Sequence, residues 1–177
     1  MTNKAYFAAG CFWCTESDFS KLPGIESVVS GYAGGHVDNP TYEQVVSEKT
    51  GHRESIEVTY DSKIISYEYL VDYLIRGMNP TDAMGSFFDR GESYTPAIFY
   101  QTEEEKQVAE KVIETWNDKK VYRLPLAVKV LPYINFFPAE DYHQNYYLKN
   151  PEKYKAYREV SGHDAQRIEN DKMFPIE

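Results

Sequence analysis

Arg53-Glu54-Ser55-Ile56-Glu57-Val58-Thr59-Tyr60 changes character at every step from Ser55 onward. In an extended strand successive side chains point to opposite faces, so Ile56, Val58 and Tyr60 share one face and Ser55, Glu57 and Thr59 the other. The alternation predicts a strand with one apolar face and one polar face. Glu54 has the parity of the apolar set, which turns a carboxyl group toward the core side. Upstream, Ala5-Tyr6-Phe7-Ala8-Ala9 reads as a short buried strand ended by Gly10. A helix follows from Cys11 through Leu22, stopped by Pro23-Gly24, and Ile25 to Tyr32 makes a second strand. Downstream, Ser66 precedes a helix with Leu70, Val71, Leu74, Ile75 and Met78 on one side, and Thr95 to Tyr100 is the next strand. Strand, helix, strand, strand, helix, strand is the order of a split βαβ unit. The fold expected is therefore α/β in the two-layer α+β sense, a sandwich with a ferredoxin-like core.

Gly31, Gly34, Gly35 and Asn39-Pro40 mark a long loop, of the kind that is usually functional in a short chain. Thr102 and Glu105 form a capping-box signature ahead of a helix carrying Val108, Ala109, Val112, Ile113 and Trp116. Ala127 to Leu131 reads as a further strand. The remainder is expected to be irregular, with a Tyr- and Lys-rich extension over about residues 150–177, helical only in part. With no linker or repeat in view, residues 1–177 are read as a single catalytic domain.

A chain of 177 residues is long enough to bury a real core. Its net charge of −9 speaks against nucleic acid as a general partner, because phosphate binding needs a basic face. No apolar stretch approaches the roughly 18 residues that span a bilayer. The start, Met1-Thr2-Asn3-Lys4, runs into too short an apolar segment for a secretion signal, so the expected location is cytoplasmic. No membrane association and a monomeric state are expected.

Only two cysteines are present, in the run Cys11-Phe12-Trp13-Cys14. A staple across so small a loop would constrain the unfolded chain very little, so the pair suits redox chemistry or metal binding better than bracing. A buried cysteine is usually an inert small hydrophobe. Here Gly10, the aromatic pair and the second thiol argue for chemistry. A helix start would favour a Cys11 thiolate through its free N–H groups and positive dipole end. Zinc would need two more ligands, and His36, His52, His143 and His163 lack finger-type spacing. His52 and His143 read as structural hydrogen-bonding residues instead.

Gly10-Cys11-Phe12-Trp13 resembles the signature of the A-type peptide methionine sulfoxide reductases. The resemblance continues in order through Ser30-Gly31-Tyr32-Ala33-Gly34-Gly35, Asn39-Pro40-Thr41-Tyr42, Thr50-Gly51-His52-Arg53-Glu54 and Ala139-Glu140-Asp141-Tyr142-His143-Gln144. It implies that Cys11 attacks the sulfur of a methionine S-sulfoxide, free or in a protein. Oxygen must then depart after protonation, so a neutral acid is needed beside it. Glu54 has the inward parity for that acid, and it falls on the family's catalytic carboxyl. By the same resemblance Tyr42 and Tyr94 donate hydroxyls to the oxygen, Asp89 supports them, and Phe12 with Trp13 cradle the substrate methyl group. Glu140 and Asp141 shape the pocket indirectly.

Two departures stand out. Around Asp89 the chain reads Phe87-Phe88-Asp89-Arg90-Gly91-Glu92-Ser93-Tyr94, matching the motif at its ends but not in its middle. The usual Gly of the signature is Cys14, and no cysteine lies near the C-terminus. Cys14 is therefore the intramolecular partner for a Cys11 sulfenic acid, giving a disulfide that thioredoxin or another dithiol would reduce; no bound cofactor is expected. On an ideal helix the two Cβ atoms would stand about 5–6 Å apart, so the bond needs local adjustment, easiest in the first turn. The alternatives are a general CxxC thiol-disulfide oxidoreductase and a metal-holding interaction module. Neither needs an acid and hydroxyls aimed at a departing oxygen.

Overall fold

In the computed structural model, which describes residues 1–175, the chain starts with β1 (Thr2–Ala8), α1 (Phe12–Phe19) and β2 (Ile25–Ala33). The short α2 (Tyr42–Val46), β3 (Arg53–Asp61) and α3 (Tyr67–Arg76) follow. Next come a small hairpin of β4 (Gly85–Ser86) and β5 (Asp89–Arg90), then β6 (Ala97–Tyr100), α4 (Glu103–Asp118), β7 (Lys129–Pro132) and β8 (Phe136–Pro138). Three helices end the described chain, α5 (Tyr146–Lys149), α6 (Pro151–Ser161) and α7 (His163–Met173).

Six strands form one sheet in the order β7-β6-β1-β3-β2-β8. Its inner four are mutually antiparallel neighbours, with β3 between β1 and β2, and β1 between β3 and β6. Two crossovers through α1 and α3 thus interleave, which is the split βαβ arrangement expected from the element order. β7 adds parallel to β6 at one edge and β8 antiparallel to β2 at the other.

The parity read from β3 holds. Ile56, Val58 and Tyr60 are buried with Phe7 and Tyr32 against Phe19 of α1, Leu70 and Leu74 of α3, and Trp116 of α4. Alternate positions build a smaller layer on the opposite face, where Tyr6, Ala8, Ala33 and Phe99 pack beside Tyr133 and Phe136. Glu57, on that outer parity, accepts from Lys4 Nζ at 2.9 Å and from the Tyr6 hydroxyl at 2.8 Å.

Several local details differ from expectation. The long loop contains α2, started by a complete capping box between Thr41 and Gln44. At α4 only half of the expected box forms: Thr102 Oγ1 accepts from Glu105 N at 3.1 Å, while the Glu105 carboxylate turns to Gln101 N at 2.6 Å. The largest difference lies after Asn145. The segment expected to be irregular is helical and integrated into the fold, because polar side chains anchor it. Glu16 Oε1 accepts from Asn145 N at 2.9 Å, and Arg158 Nη2 donates to both oxygens of Asp18 at 2.9 and 3.0 Å. Among the described residues no helix is long and apolar enough to cross a membrane.

Candidate active site

The first turn of α1 is set by Gly10. Its φ of +85° is the left-handed conformation that glycine adopts without strain, and a Cβ there would lie 2.3 Å from Ser86 Cβ. Glycine therefore lets β1 turn directly into α1 while the β4–β5 hairpin closes over the turn. Cys11 is the N-cap, with non-helical ψ of 113°, and its carbonyl accepts from Cys14 N at 3.2 Å and Thr15 N at 3.3 Å. Both thiols are free and buried. The adjustment that a Cys11–Cys14 bond requires thus falls on a residue already outside the helical conformation.

Glu54 arrives from β3, paired across the sheet with Tyr32 of β2. It is 3 % exposed, and its Oε2 accepts from Phe12 N at 3.0 Å, which fixes the carboxyl beside the Cys11 backbone. Burial pushes Glu54 up to about 8; the Phe12 N–H opposes that rise, while the charges of Asp89 and Cys14 add to it. Glu54 is therefore a neutral acid near pH 7, as its strand parity and position predict.

Cys11 and Cys14 diverge. Cys11 is pushed well above the usual thiol range, first by its hydrogen bond with Cys14, then by burial and by the charges of Cys14, Glu54 and Asp89. The same bond draws Cys14 down to about 5; burial opposes this, and His163 and Arg158 reinforce it. The positive dipole end of α1 lies at Cys11, the Phe12 N–H is engaged by Glu54, and His163 and Arg158 lie on the side of Cys14. The two thiols are hydrogen-bonded to one another and titrate as a pair.

Tyr42, Tyr94 and Asp89 converge on this turn. Burial raises Tyr42, Glu54 raises it further, and the Tyr94 hydroxyl opposes the rise. Burial raises Tyr94 too, followed by the charges of Glu54 and Tyr42. Both phenols therefore keep their protons and can donate them. Ser93 ties the Tyr94 segment to the end of α2, donating to Glu48 from its backbone N at 2.9 Å and its hydroxyl at 2.6 Å. Asp89, on β5, accepts from the Tyr157 hydroxyl of α6.

The aromatic pair divides its work. Phe12 is 1 % exposed and packs against Tyr32 and His143, so it backs the wall of the site. Trp13 is half-buried, stacks on Tyr146 with centroids 3.8 Å apart, and donates from Nε1 to His143 Nδ1 at 3.0 Å. His143 is thus a structural hydrogen-bonding residue, as is His52, whose Nδ1 accepts from Gly35 N at 3.0 Å. Glu140 positions its neighbours, accepting from the Tyr32 hydroxyl at 3.0 Å and Tyr42 N at 3.2 Å. Three contributors escape the sequence reading, namely Tyr157, Arg158 and His163. All come from the C-terminal helices, where no motif or apolar period marks them.

A buried thiol, a neutral carboxylic acid and two phenols thus surround one point, with a second sulfur one turn away. Such a set can protonate an oxygen leaving a sulfur attacked by Cys11 and then close a disulfide. The family model described as peptide methionine sulfoxide reductase matches residues 3–173. "Peptide methionine sulfoxide reductase MsrA 2" of Staphylococcus aureus (strain Mu50 / ATCC 700699) is 51% identical over 161 residues, covering 91% of this chain and 91% of that protein. Mxr1 of Saccharomyces cerevisiae in reduced form is similar in structure, with a TM-score of 0.80 and 30% identity, covering 85% of this chain and 87% of that one. Mxr1 in complex with Trx2 shares the fold at a TM-score of 0.57 and 24% identity, over 82% of this chain and 84% of that one.

Proposed function

The chain belongs to the peptide methionine sulfoxide reductase family, and from that membership we propose how its residues divide the reaction between two half-cycles. The enzyme reduces methionine sulfoxide to methionine. The observation that carries our assignment is the neutral carboxyl of Glu54, held 3.0 Å from Phe12 N beside the Cys11 thiol. Cys11, its proton released, attacks the sulfoxide sulfur, while Glu54 gives its proton to the oxygen and Tyr42 and Tyr94 hydrogen-bond to it. The hydroxyl then passes from the substrate sulfur to Cys11 as the bond between the two sulfurs breaks; the sulfoxide sulfur gains the two electrons that the Cys11 sulfur loses, and the products are methionine and a Cys11 sulfenic acid. Trp13, backed by Phe12, receives the substrate methyl group on an aromatic face. Resemblance to the family favours the S epimer, free or within a protein.

In the second half Cys14 attacks Cys11, the S–O bond breaks and water leaves. The resulting disulfide needs a dithiol reductant, and a thioredoxin-type protein suits it by exchange chemistry, the class of partner that Trx2 provides for Mxr1. Dependence on such a reductant fits a reducing compartment, so we propose a cytoplasmic location. We propose that the enzyme acts as a monomer.

The test is single-turnover reaction of the reduced protein with separated R and S epimers of a methionine sulfoxide peptide, followed by mass spectrometry. Expected are methionine from the S epimer alone and a loss of two hydrogens mapped to Cys11–Cys14. No methionine from either epimer would refute the assigned roles, and methionine without that disulfide would refute the role of Cys14.

A further inference from the structure

His163 opens α7 and is only 3 % exposed. Its Nδ1 lies 2.6 Å from Ser161 Oγ, and that hydroxyl donates to the Arg158 carbonyl oxygen at 3.1 Å. A hydroxyl has one proton, and this one is spent on Arg158, so Ser161 Oγ accepts from His163 Nδ1–H. The neutral ring therefore carries its proton on Nδ1 and leaves Nε2 as a bare acceptor. Nε2 is buried without an oxygen or nitrogen partner. A buried acceptor left unpaired costs about 1–3 kcal/mol, so its burial calls for a donor. A small cavity shared by Cys14, Asp18, His163 and Arg167 places the Cys14 thiol at hand.

We infer that His163 is the proton acceptor that readies Cys14 for the second half-cycle, held in the required tautomer by Ser161 and assisted by the positive charge of Arg158. The inference rests on Cys14 being the thiol that resolves the sulfenic acid. Once Cys11 is a sulfenic acid, its thiol no longer stabilises a Cys14 anion, and Cys14 enters this step as a thiol with its own proton. That proton moves to His163 Nε2, and the Cys14 sulfur attacks the Cys11 sulfur. The S–S bond forms as the S–O bond breaks: Cys14 is oxidised, Cys11 is reduced, and the leaving hydroxide takes up, through solvent, the proton that His163 accepted. Arg158 serves this step from α6, where Asp18 of α1 fixes it and His163 follows shortly in sequence. Beyond the effect of Cys11 itself, the hydrogen bond to His163 and the positive charge of Arg158 draw Cys14 down, in agreement with the geometry.

The groups that face Cys14 are Cys11 of the same turn, Asp18 of α1, Glu54 of β3, Tyr154, Tyr157 and Arg158 of α6, and His163 and Arg167 of α7. A pH profile therefore has to compare wild type with a variant at matched pH, so that the other groups contribute equally to both. Reduced protein is given one equivalent of methionine S-sulfoxide, then sampled over time with a cyclic 1,3-diketone that traps sulfenic acid, at roughly pH 6 to 9 around imidazole titration. In His163→Gln, methionine should form at the wild-type rate while the sulfenic acid decays about 10²-fold more slowly near pH 7. Its decay should speed up with pH as an unassisted thiol ionises near about 8.5. Ser161→Ala should act in the same direction and less strongly. Decay in His163→Gln that matches wild type in rate and pH profile overturns the inference; if that variant does not fold, the same result in Ser161→Ala does so. Cys14→Ser separates the two readings. Accumulated sulfenic acid there, with unchanged decay in His163→Gln, refutes His163 alone, whereas wild-type decay in Cys14→Ser refutes Cys14 and His163 together.

Discussion

Cys11 and Cys14 occupy the same helical turn in opposite surroundings. Cys11 faces the carboxyls of Glu54 and Asp89, with the phenols of Tyr42 and Tyr94 beside them, and is pushed well above the ordinary thiol range by Cys14, by burial and by these charges. Cys14 is drawn down to about 5 by Cys11 and, against burial, by His163 and Arg158. The two half-reactions ask for this contrast. Reducing a sulfoxide means placing a proton on an oxygen, which needs acids. Resolving a sulfenic acid means taking a proton from a thiol, which needs a base and a positive field. One uniform environment would favour one step at the expense of the other. The fold supplies both by presenting the turn to the sheet side through β3 and to the C-terminal helices through α6 and α7.

The strongest challenge to this contrast is to exchange each sulfur for oxygen. Cys11→Ser should lose methionine formation by about 10⁴-fold or more, the scale seen when a nucleophile is removed from a group of residues acting as a unit. Cys14→Ser should form its first equivalent of methionine at close to the wild-type rate and then stall when a thioredoxin-type dithiol is the reductant. A burst assay with rapid quenching reads both. Steady thioredoxin-dependent turnover by Cys14→Ser would dissolve the division between the two sulfurs.

Glu54→Gln should lower the rate of methionine formation about 10²–10⁴-fold, as expected when a general acid is lost. With Glu54 pushed up to about 8, the wild-type rate should fall as pH rises through that value, whereas the variant should show no such step. Stability should move the other way. The unfolded chain gives up this proton above about pH 4.3, while the folded carboxyl keeps it until about 8. Between those limits the unfolded state binds fewer protons, so wild-type stability declines as pH rises across that window. Glutamine escapes the decline and still offers an oxygen to Phe12 N. The variant should therefore be the more stable protein at neutral pH, by about 1–3 kcal/mol, with the advantage vanishing below about pH 4. Chemical denaturation at the two pH values checks this, and equal stabilities throughout would mean that Glu54 is ionised at rest.

The acidic half of the site was legible in the sequence and the basic half was not. Cys11 followed from a strand-to-helix turn marked by Gly10, and Glu54 from the parity of a strand whose apolar side chains announce their face. Tyr42, Tyr94 and Asp89 needed the family motif, since among 16 tyrosines nothing local singles out two. The core of the fold was legible for the same reason as Glu54, because its strands and helices carry clear apolar periods. Arg158 and His163 lie in helices with few apolar residues, a composition that reads as a solvated extension. Their burial depends on partners distant in the chain: Arg158 meets Asp18 at a separation of 140 residues. No local pattern encodes an ion pair of that reach, and neither composition nor spacing shows that a serine fixes the tautomer of a histidine.

Tyr157→Phe makes the finest distinction between the two sides, because Tyr157 and Arg158 are neighbours on α6 that serve different ones. Arg158 reaches Asp18 beneath Cys14, whereas Tyr157 donates its hydroxyl to Asp89 beside Cys11. Tyr157 is raised above the ordinary phenol range by burial first, then by the charge of Cys11 and by its bond to Asp89, so it remains a donor. Removing the hydroxyl leaves Asp89 without that partner, and a hydrogen bond to a charged group is worth about 1.5–3 kcal/mol. Asp89 is only half-buried, so water should replace much of the loss and keep the effect near the lower end. The expected outcome is a fall of about tenfold in single-turnover methionine formation, equivalent to about 1.4 kcal/mol, with the decay of the sulfenic acid unchanged. Slowing of the second step as well would show that α6 acts as one rigid platform under both sulfurs. Slowing of the first alone would show that its two neighbouring side chains act independently, each on its own side of the turn.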